Sequence, residues 1–302
     1  MIYNELGQTG LKVTKVSLGC ASLGNEYGDL ELAEGIRAVH VAIDRGINFF
    51  DTSPYYGRTL SETRLGKALK GKRDKVILGT KGGRFDIAGF DFSYDGIIKM
   101  CEESLVRLQT DYIDVYQLHD IEFGDKEQVI NEAIPAMHEL KRQGKVRFIG
   151  VTGFPVDLLA EMVISQELDV ALSYAHFTLV NQTMHDLLQP HTVARNVGLI
   201  NASITGLGLL THNGPQPWHP ASQAFKDVIA EAIVYCTQKN INLTRLAVLY
   251  ALKYDGADST LLGTRTVEEL ENSLKWMNEE INQAHLDAVL KILEPIRNQS
   301  WE

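Results

Sequence analysis

Three polar side chains stand at the ends of short apolar runs in the sequence. Asp51 follows NFF, Lys81 ends VILGTK, and His119 ends YIDVYQLH. Tyr56 comes five residues after Asp51 in DTSPYYG, within reach of the same centre. Polar groups beyond apolar runs are costly to bury unless they satisfy one another. We therefore predict that these four residues converge.

This combination of residue types predicts proton transfer. A free tyrosine titrates near pH 10, too high for a proton shuttle at neutral pH. An ammonium about 3 Å from the Tyr56 oxygen, at an effective dielectric constant of about 20, favours phenolate by about 5 kcal/mol. Because one pKa unit is about 1.4 kcal/mol, we expect Lys81 to lower the pKa of Tyr56 by about three units. Asp51 is expected to keep Lys81 charged, and His119 to donate to a substrate oxygen.

Each of these residues alone has a structural explanation. An isolated Asp–Lys pair at a strand end is usually a structural ion pair, and a lone histidine usually belongs to a core. The four together, in this order, favour the functional interpretation.

The elements that must position these residues are short apolar runs, typical of parallel strands buried on both faces. Eight runs occur: VSLGC from Val16, NFFDTS from Asn48, VILGTK from Val76, YIDVYQLH from Tyr112, FIGVTG from Phe148, VALSYAHF from Val170, GLINASI from Gly198 and STLLGT from Ser259.

Apolar stripes at helical spacing separate these runs. They cover residues 32–43 before Gly46, residues 97–108, and residues 130–140 before Gly144. Strand and helix alternating eight times predict an α/β fold, the (β/α)8 TIM barrel, with its active site at the carboxyl ends of the strands. An open doubly wound sheet is the alternative, and it is disfavoured because SLGCASLG lacks the GxGxxG spacing.

Three further segments lie outside the alternating pattern. The first thirteen residues are expected to form an N-terminal hairpin closing the barrel floor, and residues 281–295 an extra C-terminal helix. The turn-rich stretch THNGPQPWHPA, residues 211–221, is either a substrate lid or an ordinary surface loop. We expect residues 1–302 to form a single domain, since no linker-like stretch interrupts them.

Composition excludes several function classes. A net charge of −10 with scattered basic residues disfavours nucleic acid as a partner. No apolar stretch is long enough to span a membrane, and the start MIYNELGQTGLKV does not resemble a signal peptide. The three cysteines are too few for a disulfide framework, and no spacing indicates a metal site. We expect a cytoplasmic protein without a metal.

Longer motifs resemble a known family over essentially the whole chain. FDTSPYYG, LGTKGG, YIDVYQLHD and LLGTRTVEELENS are similar to segments of the aldo-keto reductase superfamily. INFFDTSPYYGRTLSE, GFDFSYD, HDIEFG, LSYAHF and GPQPWHPAS resemble its L-galactose dehydrogenase branch, the NAD-dependent aldose 1-dehydrogenases. The resemblance implies a catalytic tetrad of Asp51, Tyr56, Lys81 and His119, with Tyr56 as the acid/base.

The implied reaction is oxidation of the C1 hydroxyl of a sugar to a lactone, L-galactose to L-galactono-1,4-lactone in this branch. Hydride passes to the nicotinamide, and Tyr56 as phenolate accepts the hydroxyl proton. Plausible sugar contacts, besides His119, are Tyr55, Asp120, His176 and Trp218. Asp120 and His176 could instead support neighbouring side chains, and Trp218 could simply pack in its loop.

The resemblance implies one nicotinamide cofactor across the strand ends. Its amide is expected near Thr152, Gly153 and Tyr174, where the family usually has Ser, Asn and Gln. The family's stacking aromatic residue is replaced by Ala202, and Tyr174 could supply that ring. The strand-end residues Gly19, Ala21 and Asp51 are also assigned to the cofactor.

The phosphates and adenosine are expected after the last two strands. Backbone N–H groups of SITGLGLL are assigned to the pyrophosphate, namely those at Ser203, Thr205, Leu207, Gly208 and Leu210. A helix start is a natural anion site, and the adenosine end is assigned to Gly263, Thr264, Arg265, Glu271 and Asn272.

The chain carries Glu268 near the position where the family often has an arginine for the 2′-phosphate of NADP. A carboxylate there would repel a phosphate and could accept from ribose hydroxyls. We therefore predict NAD over NADP. Arg265 is the exception to this argument, because it could pair with a phosphate or lie in solvent.

Several alternatives stay open. The substrate could be another aldose, such as L-fucose or D-arabinose, or a pyridoxal-type alcohol. A nicotinamide-binding regulatory subunit without turnover is a second class, disfavoured by the intact tetrad. A metal-dependent barrel hydrolase is a third, disfavoured because His119 is the one strand-end histidine beside a carboxylate and Lys81 would repel a dication. A monomer or a homodimer is expected.

Overall fold

Eight parallel strands form a closed barrel in the computed structural model, which describes residues 1–301. Each strand pairs with the next in chain order, and the last pairs with the first, with Thr260 opposite Val16. The predicted TIM barrel is confirmed, and the open sheet is wrong because no barrel strand leaves an unpaired edge. The barrel strands are β3 (Val16–Gly19), β4 (Phe49–Asp51), β5 (Ile77–Gly82), β6 (Ile113–Leu118), β7 (Val146–Gly153), β8 (Val170–Tyr174), β9 (Gly198–Ala202) and β10 (Ser259–Gly263).

All eight predicted runs overlap observed strands. The strands are almost wholly buried, as expected where one face meets the barrel interior and the other meets helices. β7 begins two residues before the predicted Phe148, because Val146 already pairs with Ile113 of β6.

The predicted N-terminal hairpin is also present. β1 (Tyr3–Glu5) and β2 (Lys12–Thr14) pair antiparallel around a turn that contains Gly7 and Gly10. Apolar side chains of the hairpin pack into the amino-terminal end of the barrel interior, forming one cluster with inward-facing strand residues. The members of that cluster from the hairpin are Leu6, Leu11 and Val13, and those from the strands include Phe49, Val115, Val170 and Ile200.

Helices cover the outside of the barrel. Five of them begin at a Ser, Thr or Asn whose side chain accepts a backbone N–H of the first turn, which satisfies an otherwise unpaired donor. The helices are α1 (Leu32–Asp44), α2 (Leu60–Ala68), α3 (Tyr94–Leu108), α4 (Lys126–Gln128), α5 (Ile134–Arg142), α6 (Val156–Ser165), α7 (Gln189–Arg195), α8 (Gln223–Gln238), α9 (Leu243–Leu252), α10 (Val267–Trp276) and α11 (Gln283–Leu293).

The stripe predicted over residues 130–140 is interrupted. α4 and α5 are joined by a π-helical turn, Val129–Ala133, so the segment is not one regular α-helix. The extra C-terminal helix is confirmed as α11, which packs against α8. Phe225 and Ile229 of α8 share an apolar cluster with Leu286 and Val289 of α11. No helix within residues 1–301 has the length and apolar character to cross a membrane.

Candidate active site

The ammonium of Lys81 lies at the centre of the polar side chains that β4, β5 and β6 carry at their carboxyl ends. Lys81 is 1% exposed and forms an ion pair with Asp51, which is 2% exposed. Its Nζ also donates to the Thr52 carbonyl oxygen at 2.8 Å and to the Tyr56 hydroxyl oxygen at 3.4 Å. These three partners use the three donors of an ammonium. Because the Tyr56 oxygen accepts from Lys81, the phenol proton points elsewhere.

Asp51 is fixed on both of its oxygens. Its Oδ1 faces Lys81, and its Oδ2 accepts from Gln117 Nε2 at 2.9 Å. Gln117 lies inside β6 and sequence reasoning missed it, although a glutamine within the apolar run YIDVYQLH was a usable signal. The hydrogen bond from Gln117 fixes the orientation of the Asp51 carboxylate. The carboxylate in turn holds the Lys81 ammonium next to the Tyr56 oxygen.

Tyr56 is positioned by a close backbone contact. The turn that carries it packs on a short 3₁₀ turn, residues 21–24, and a Cβ on Gly24 would lie 2.5 Å from the Tyr56 carbonyl carbon. Gly57 has φ of 61° and donates its N–H to Glu26 Oε1 at 2.7 Å. Glycine at both positions permits this approach.

The expected lowering of the Tyr56 pKa is wrong. Burial raises the pKa of Tyr56 well above its usual value of 10, and the negative charges of Asp51 and Asp120 raise it further. The prediction considered Lys81 alone. In the structure Lys81 forms an ion pair with Asp51. The pair as a whole carries little net charge, so it does little to stabilise a phenolate. Tyr56 is therefore a neutral phenol at pH 7 in the absence of a bound cofactor.

His119 is a neutral, buried ring beside both tyrosines. Its centroid lies 5.7 Å from those of Tyr55 and Tyr56, each in an edge-on arrangement. Burial, Lys81 and Arg84 lower the pKa of His119 well below 6.5. Its Nδ1 lies 2.9 Å from the Ser53 hydroxyl. A neutral imidazole at this place can offer one N–H to a substrate oxygen.

A second ion pair borders the tetrad. The buried Asp120 forms a salt bridge with the partly buried Arg84, and its Oδ2 lies 3.7 Å from His119 Nε2. The Arg84 guanidinium lies 3.9 Å from the centre of the Tyr55 ring. Arg84 was missed by sequence reasoning, although an arginine three residues beyond the strand-end lysine was visible. Tyr55 and Asp120, both proposed sugar contacts, thus lie on one wall of the site.

The other two proposed sugar contacts lie farther round the barrel. His176 is buried, packs against Phe154 with the two rings tilted and 4.6 Å between centroids, and has its pKa lowered by burial to about 4. Trp218 is 53% exposed, and its ring centroid lies 6.2 Å from that of Tyr27. None of the contacts found for these two residues within 1–301 is to a tetrad side chain, so the structure does not bring them to the tetrad directly.

The loop 211–221 is anchored rather than free. His219 within it is buried, and its Nε2 lies 3.1 Å from the Gly206 carbonyl oxygen. Lys226 of α8 donates to the His219 carbonyl oxygen at 2.7 Å. The exposed Trp218 side chain reaches towards the loop after β3, where its ring lies near that of Tyr27.

Residues assigned to the nicotinamide amide stand at the ends of two neighbouring strands. Thr152 and Gly153 end β7, and Tyr174 ends β8 directly opposite Ala202 of β9. Ala202 belongs to an apolar cluster against which Tyr174 packs, so a ring is present next to the position of the alanine. A Cβ on Gly153 would lie 2.7 Å from Glu122 Oε2, so a side chain there would have to displace the end of the Glu122 side chain.

The turn after β9 has the form of an anion cradle. Ser203, Gly206, Leu207 and Gly208 have φ of 52°, 60°, 54° and 97°. The N–H groups of Leu207 and Gly208 meet no backbone or side-chain acceptor within residues 1–301, and a Cβ on Gly208 would find open space. Unpaired N–H groups beside open space fit a pyrophosphate. The predicted Thr205 and Leu210 lie in the same turn, joined by a hydrogen bond from Leu210 N to the Thr205 carbonyl oxygen at 2.9 Å.

Residues assigned to the adenosine end surround the start of α10. Gly263 is exposed with open space at its Cβ position, and the Thr264 carbonyl oxygen accepts from Ser22. The Arg265 guanidinium pairs with Glu269 at 3.1 Å and donates to the Tyr27 carbonyl oxygen at 3.1 Å.

Two further residues assigned to the adenosine end lie one turn into α10. Glu271 pairs at 2.7 Å with Arg45, the residue after α1, so its carboxylate is already engaged, and Asn272 is exposed.

Strand β3 lies between the strands that carry the tetrad and the strand that leads to the adenosine end. Gly19 pairs with Asp51 of β4 on one side and with Gly263 of β10 on the other. Ala21 begins the 3₁₀ turn that packs against Tyr56. Within residues 1–301 no group of three His, Cys, Asp or Glu side chains could hold a metal ion.

Comparison with known proteins now decides the family. The model of the Aldo/keto reductase family matches residues 15–294. The chain belongs to the aldo/keto reductase family. Members of this family use a nicotinamide cofactor, and this aldo/keto reductase is an oxidoreductase acting on CH–OH groups.

Individual relatives match over nearly the full length of this aldo/keto reductase. It is 43% identical to L-galactose dehydrogenase of Arabidopsis thaliana, over 98% of this chain and 95% of that protein. It is 32% identical to D-arabinose 1-dehydrogenase of Saccharomyces cerevisiae, over 87% and 82%. The holo form of an aldo-keto reductase from Bacillus halodurans superimposes with a TM-score of 0.78 at 26% identity, covering 97% of this chain and 96% of that one.

Proposed function

We propose that this protein oxidises the C1 hydroxyl of an aldose, L-galactose in the first instance, with NAD as the hydride acceptor. One observation carries the proposal: the Lys81 ammonium, itself paired with Asp51, lies 3.4 Å from the Tyr56 oxygen beside a neutral His119 ring. This arrangement holds the proton-transfer group of Tyr56 and the hydrogen-bond donor of His119 side by side at the carboxyl ends of the strands.

Each of the four tetrad residues would have a separate role in the reaction. His119 donates one N–H to the C1 oxygen and orients it, while Tyr56 as phenolate accepts the proton of that hydroxyl. Lys81 donates to the Tyr56 oxygen and stabilises the phenolate, and Asp51 keeps Lys81 in place. A nicotinamide held near Thr152, Gly153 and Tyr174 would supply the hydride acceptor for C1 and a positive ring charge.

The raised pKa of Tyr56 sets the direction of this chemistry. With no cofactor bound the side chain is a phenol, which suits it to donate a proton to a carbonyl oxygen. Oxidation needs the phenolate instead. We therefore expect oxidation to depend steeply on pH, whereas reduction of the lactone or of an aldehyde does not.

The substrate is proposed from the relatives and from the site wall. L-galactose dehydrogenase and D-arabinose 1-dehydrogenase both carry aldose substrates in their names. Tyr55 and Asp120 offer a ring face and a carboxylate for sugar hydroxyls beside His119. We assign His176 and Trp218 outer positions in the same pocket. D-arabinose is the second candidate, supported by the yeast relative.

NAD is favoured over NADP by the carboxylates around α10. Glu34 of α1 accepts the Val267 N–H at 3.0 Å, and Glu269 accepts the Arg265 N–H at 2.8 Å. These are the donors that a helix start would offer to a phosphate. Glu269 also occupies the Arg265 guanidinium, and Glu268 is exposed at the same turn. A 2′-phosphate would find its N–H donors taken and negative charge nearby.

The reducing compartment expected for such an enzyme fits the cysteines. Cys20, Cys101 and Cys236 are all buried thiols without a disulfide partner. This supports a cytoplasmic location, because disulfide-free thiols are typical of reducing compartments.

A sugar-by-cofactor screen tests the proposal. Purified protein is mixed with L-galactose, L-fucose, D-arabinose or a pyridoxal-type alcohol and with NAD or NADP, and reduced nicotinamide is followed by absorbance. We expect the highest kcat/KM with L-galactose and NAD, and Tyr56→Phe serves as the inactive control. NAD binding without turnover on any substrate would contradict the proposal and favour a regulatory subunit.

A further inference from the structure

The histidine of the tetrad has one side-chain hydrogen-bond partner in the described chain, and that partner is a buried serine outside the tetrad. Ser53 Oγ lies 2.9 Å from His119 Nδ1, and Ser53 is 0% exposed. Asp120 is the next polar group, but its Oδ2 lies 3.7 Å from Nε2, beyond hydrogen-bond distance. The orientation of the ring therefore depends on Ser53.

The direction of the Ser53–His119 hydrogen bond follows from the other contact of the serine. The Tyr55 N–H donates to Ser53 Oγ at 3.1 Å, so one lone pair of that oxygen is already used. Within residues 1–301, His119 Nδ1 is the one remaining neighbour that can accept the hydroxyl proton. The reverse arrangement, with Nδ1–H donating, would leave a buried hydroxyl proton without an acceptor, which native structures avoid.

We propose that Ser53 is a positioning residue that fixes the tautomer of His119, placing the ring proton on Nε2. A neutral imidazole carries one proton, so a donor to Nδ1 forces the N–H onto the other nitrogen. Nε2 has no hydrogen-bond partner within residues 1–301 and is the atom available to a substrate oxygen. The functional part of this inference rests on the proposed function, in which His119 donates to the C1 oxygen.

Ser53 also explains part of the motif DTSPYYG. Its hydroxyl connects the turn that carries Tyr55 and Tyr56 to the end of β6, where His119 stands. The residue that orders the tyrosine turn therefore also orders the histidine. A serine at this point supplies one hydroxyl for both tasks, whereas alanine would supply none.

The test reads the ring directly, in cofactor-free protein labelled with ¹⁵N-histidine. Chemical shifts of ring nitrogens separate a protonated from an unprotonated nitrogen, and His119→Gln assigns the signals of residue 119 among the nine histidines. We expect the wild-type proton on Nε2, and we expect Ser53→Ala to populate the Nδ1–H form. A wild-type proton on Nδ1, or a Ser53→Ala ring with its proton wholly on Nε2, overturns the proposal.

A matched variant controls for the loss of a buried hydroxyl. Ser61 is also 0% exposed, and its hydroxyl donates to the Cys20 carbonyl oxygen at 2.7 Å and contacts Thr52, not His119. Ser61→Ala should leave the ring signals of His119 as in the wild type. A change of tautomer in Ser61→Ala as large as that in Ser53→Ala would show a general packing effect and overturn the proposal.

Kinetics on L-galactose complete the test. Ser53→Ala should lower kcat by about tenfold with little change in KM, less than the roughly 10²–10³ typical of removing an oxyanion donor altogether. In the His119→Gln background the same substitution should have almost no effect, because its action passes through the ring. Equal losses in both backgrounds overturn the proposal. Inactivity of the wild type on every sugar would instead refute the proposed function and leave the ring measurement valid.

Discussion

The two halves of the candidate site are built differently. At the ends of β4, β5 and β6 the chemistry lies in side chains, with Lys81 joining Asp51 to Tyr56. At the ends of β9 and β10 it lies in the backbone, in the turn 203–208 and the start of α10. Side-chain chemistry depends on which residues are present, whereas a backbone cradle depends on conformations that many sequences adopt. The first half is therefore sensitive to single substitutions and the second is tolerant of them.

Replacing Tyr56 by Phe should cause the largest loss of activity and so give the clearest separation of the two halves. The variant lacks the group that exchanges a proton with the C1 oxygen, so kcat/KM for oxidation should fall by about 10³ or more, within the range for acid–base catalysis. Binding of NAD, followed by fluorescence quenching, should stay within about twofold of wild type. A large loss of NAD affinity would show that the two halves are not separate.

Replacing Lys81 by Met tests the stability of the side-chain half. The change leaves Asp51 as an unpaired carboxylate at 2% exposure, which should lower the free energy of unfolding by about 3–5 kcal/mol. Urea denaturation measures this loss. The matched double variant Asp51→Asn with Lys81→Met removes both charges and should recover most of the stability without recovering activity. Failure to recover stability would mean that the ion pair is not the cause.

The pH dependence follows from the raised pKa of Tyr56. Oxidation uses the phenolate, which below the pKa increases tenfold for each pH unit. We therefore expect kcat/KM for oxidation to rise about tenfold per unit between roughly pH 6 and pH 9 with no plateau, while reduction, which uses the phenol, stays flat. A plateau in oxidation near pH 7 would contradict this, and it would show that the cofactor lowers the pKa of Tyr56 strongly.

The smallest effect is expected from the backbone half. Glu34→Gln removes the carboxylate that accepts the Val267 N–H, and Glu268→Gln removes an exposed charge from the same turn. A charge at a helix start is worth about 0.3–1 kcal/mol, so each change should improve kcat/KM with NADP by about two- to fivefold and leave NAD nearly unchanged. Asp287→Asn in the remote helix α11 is the control. No gain with NADP would refute the charge argument.

Prediction from the sequence succeeded where residue type decides the outcome. All eight strands were identified because parallel strands buried on both faces are apolar throughout, as VILGTK and GLINASI illustrate. The convergence of Asp51, Tyr56, Lys81 and His119 followed from their places at strand ends. The N-terminal hairpin was found from its turn glycines.

Prediction failed where a property depends on what surrounds a residue. The Tyr56 pKa was assigned the wrong sign because the Lys81 charge was weighed without the burial of the phenol and without the opposing negative charges of Asp51 and Asp120. Ser53 and Arg84 were missed because a serine in a turn or an arginine after a strand is common. Only the three-dimensional distances single them out.

The hairpin at the amino-terminal end has a consequence for the path of protons. Leu6, Leu11 and Val13 pack with inward-facing strand residues at the amino-terminal end of the barrel, so that end of the interior is filled by apolar side chains. Proton exchange between Tyr56 and solvent is therefore expected at the carboxyl ends of the strands, where a bound sugar would cover the tyrosine. A proton removed from the sugar would then stay on Tyr56 until the lactone departs. Regeneration of the phenolate would therefore have to wait for product release.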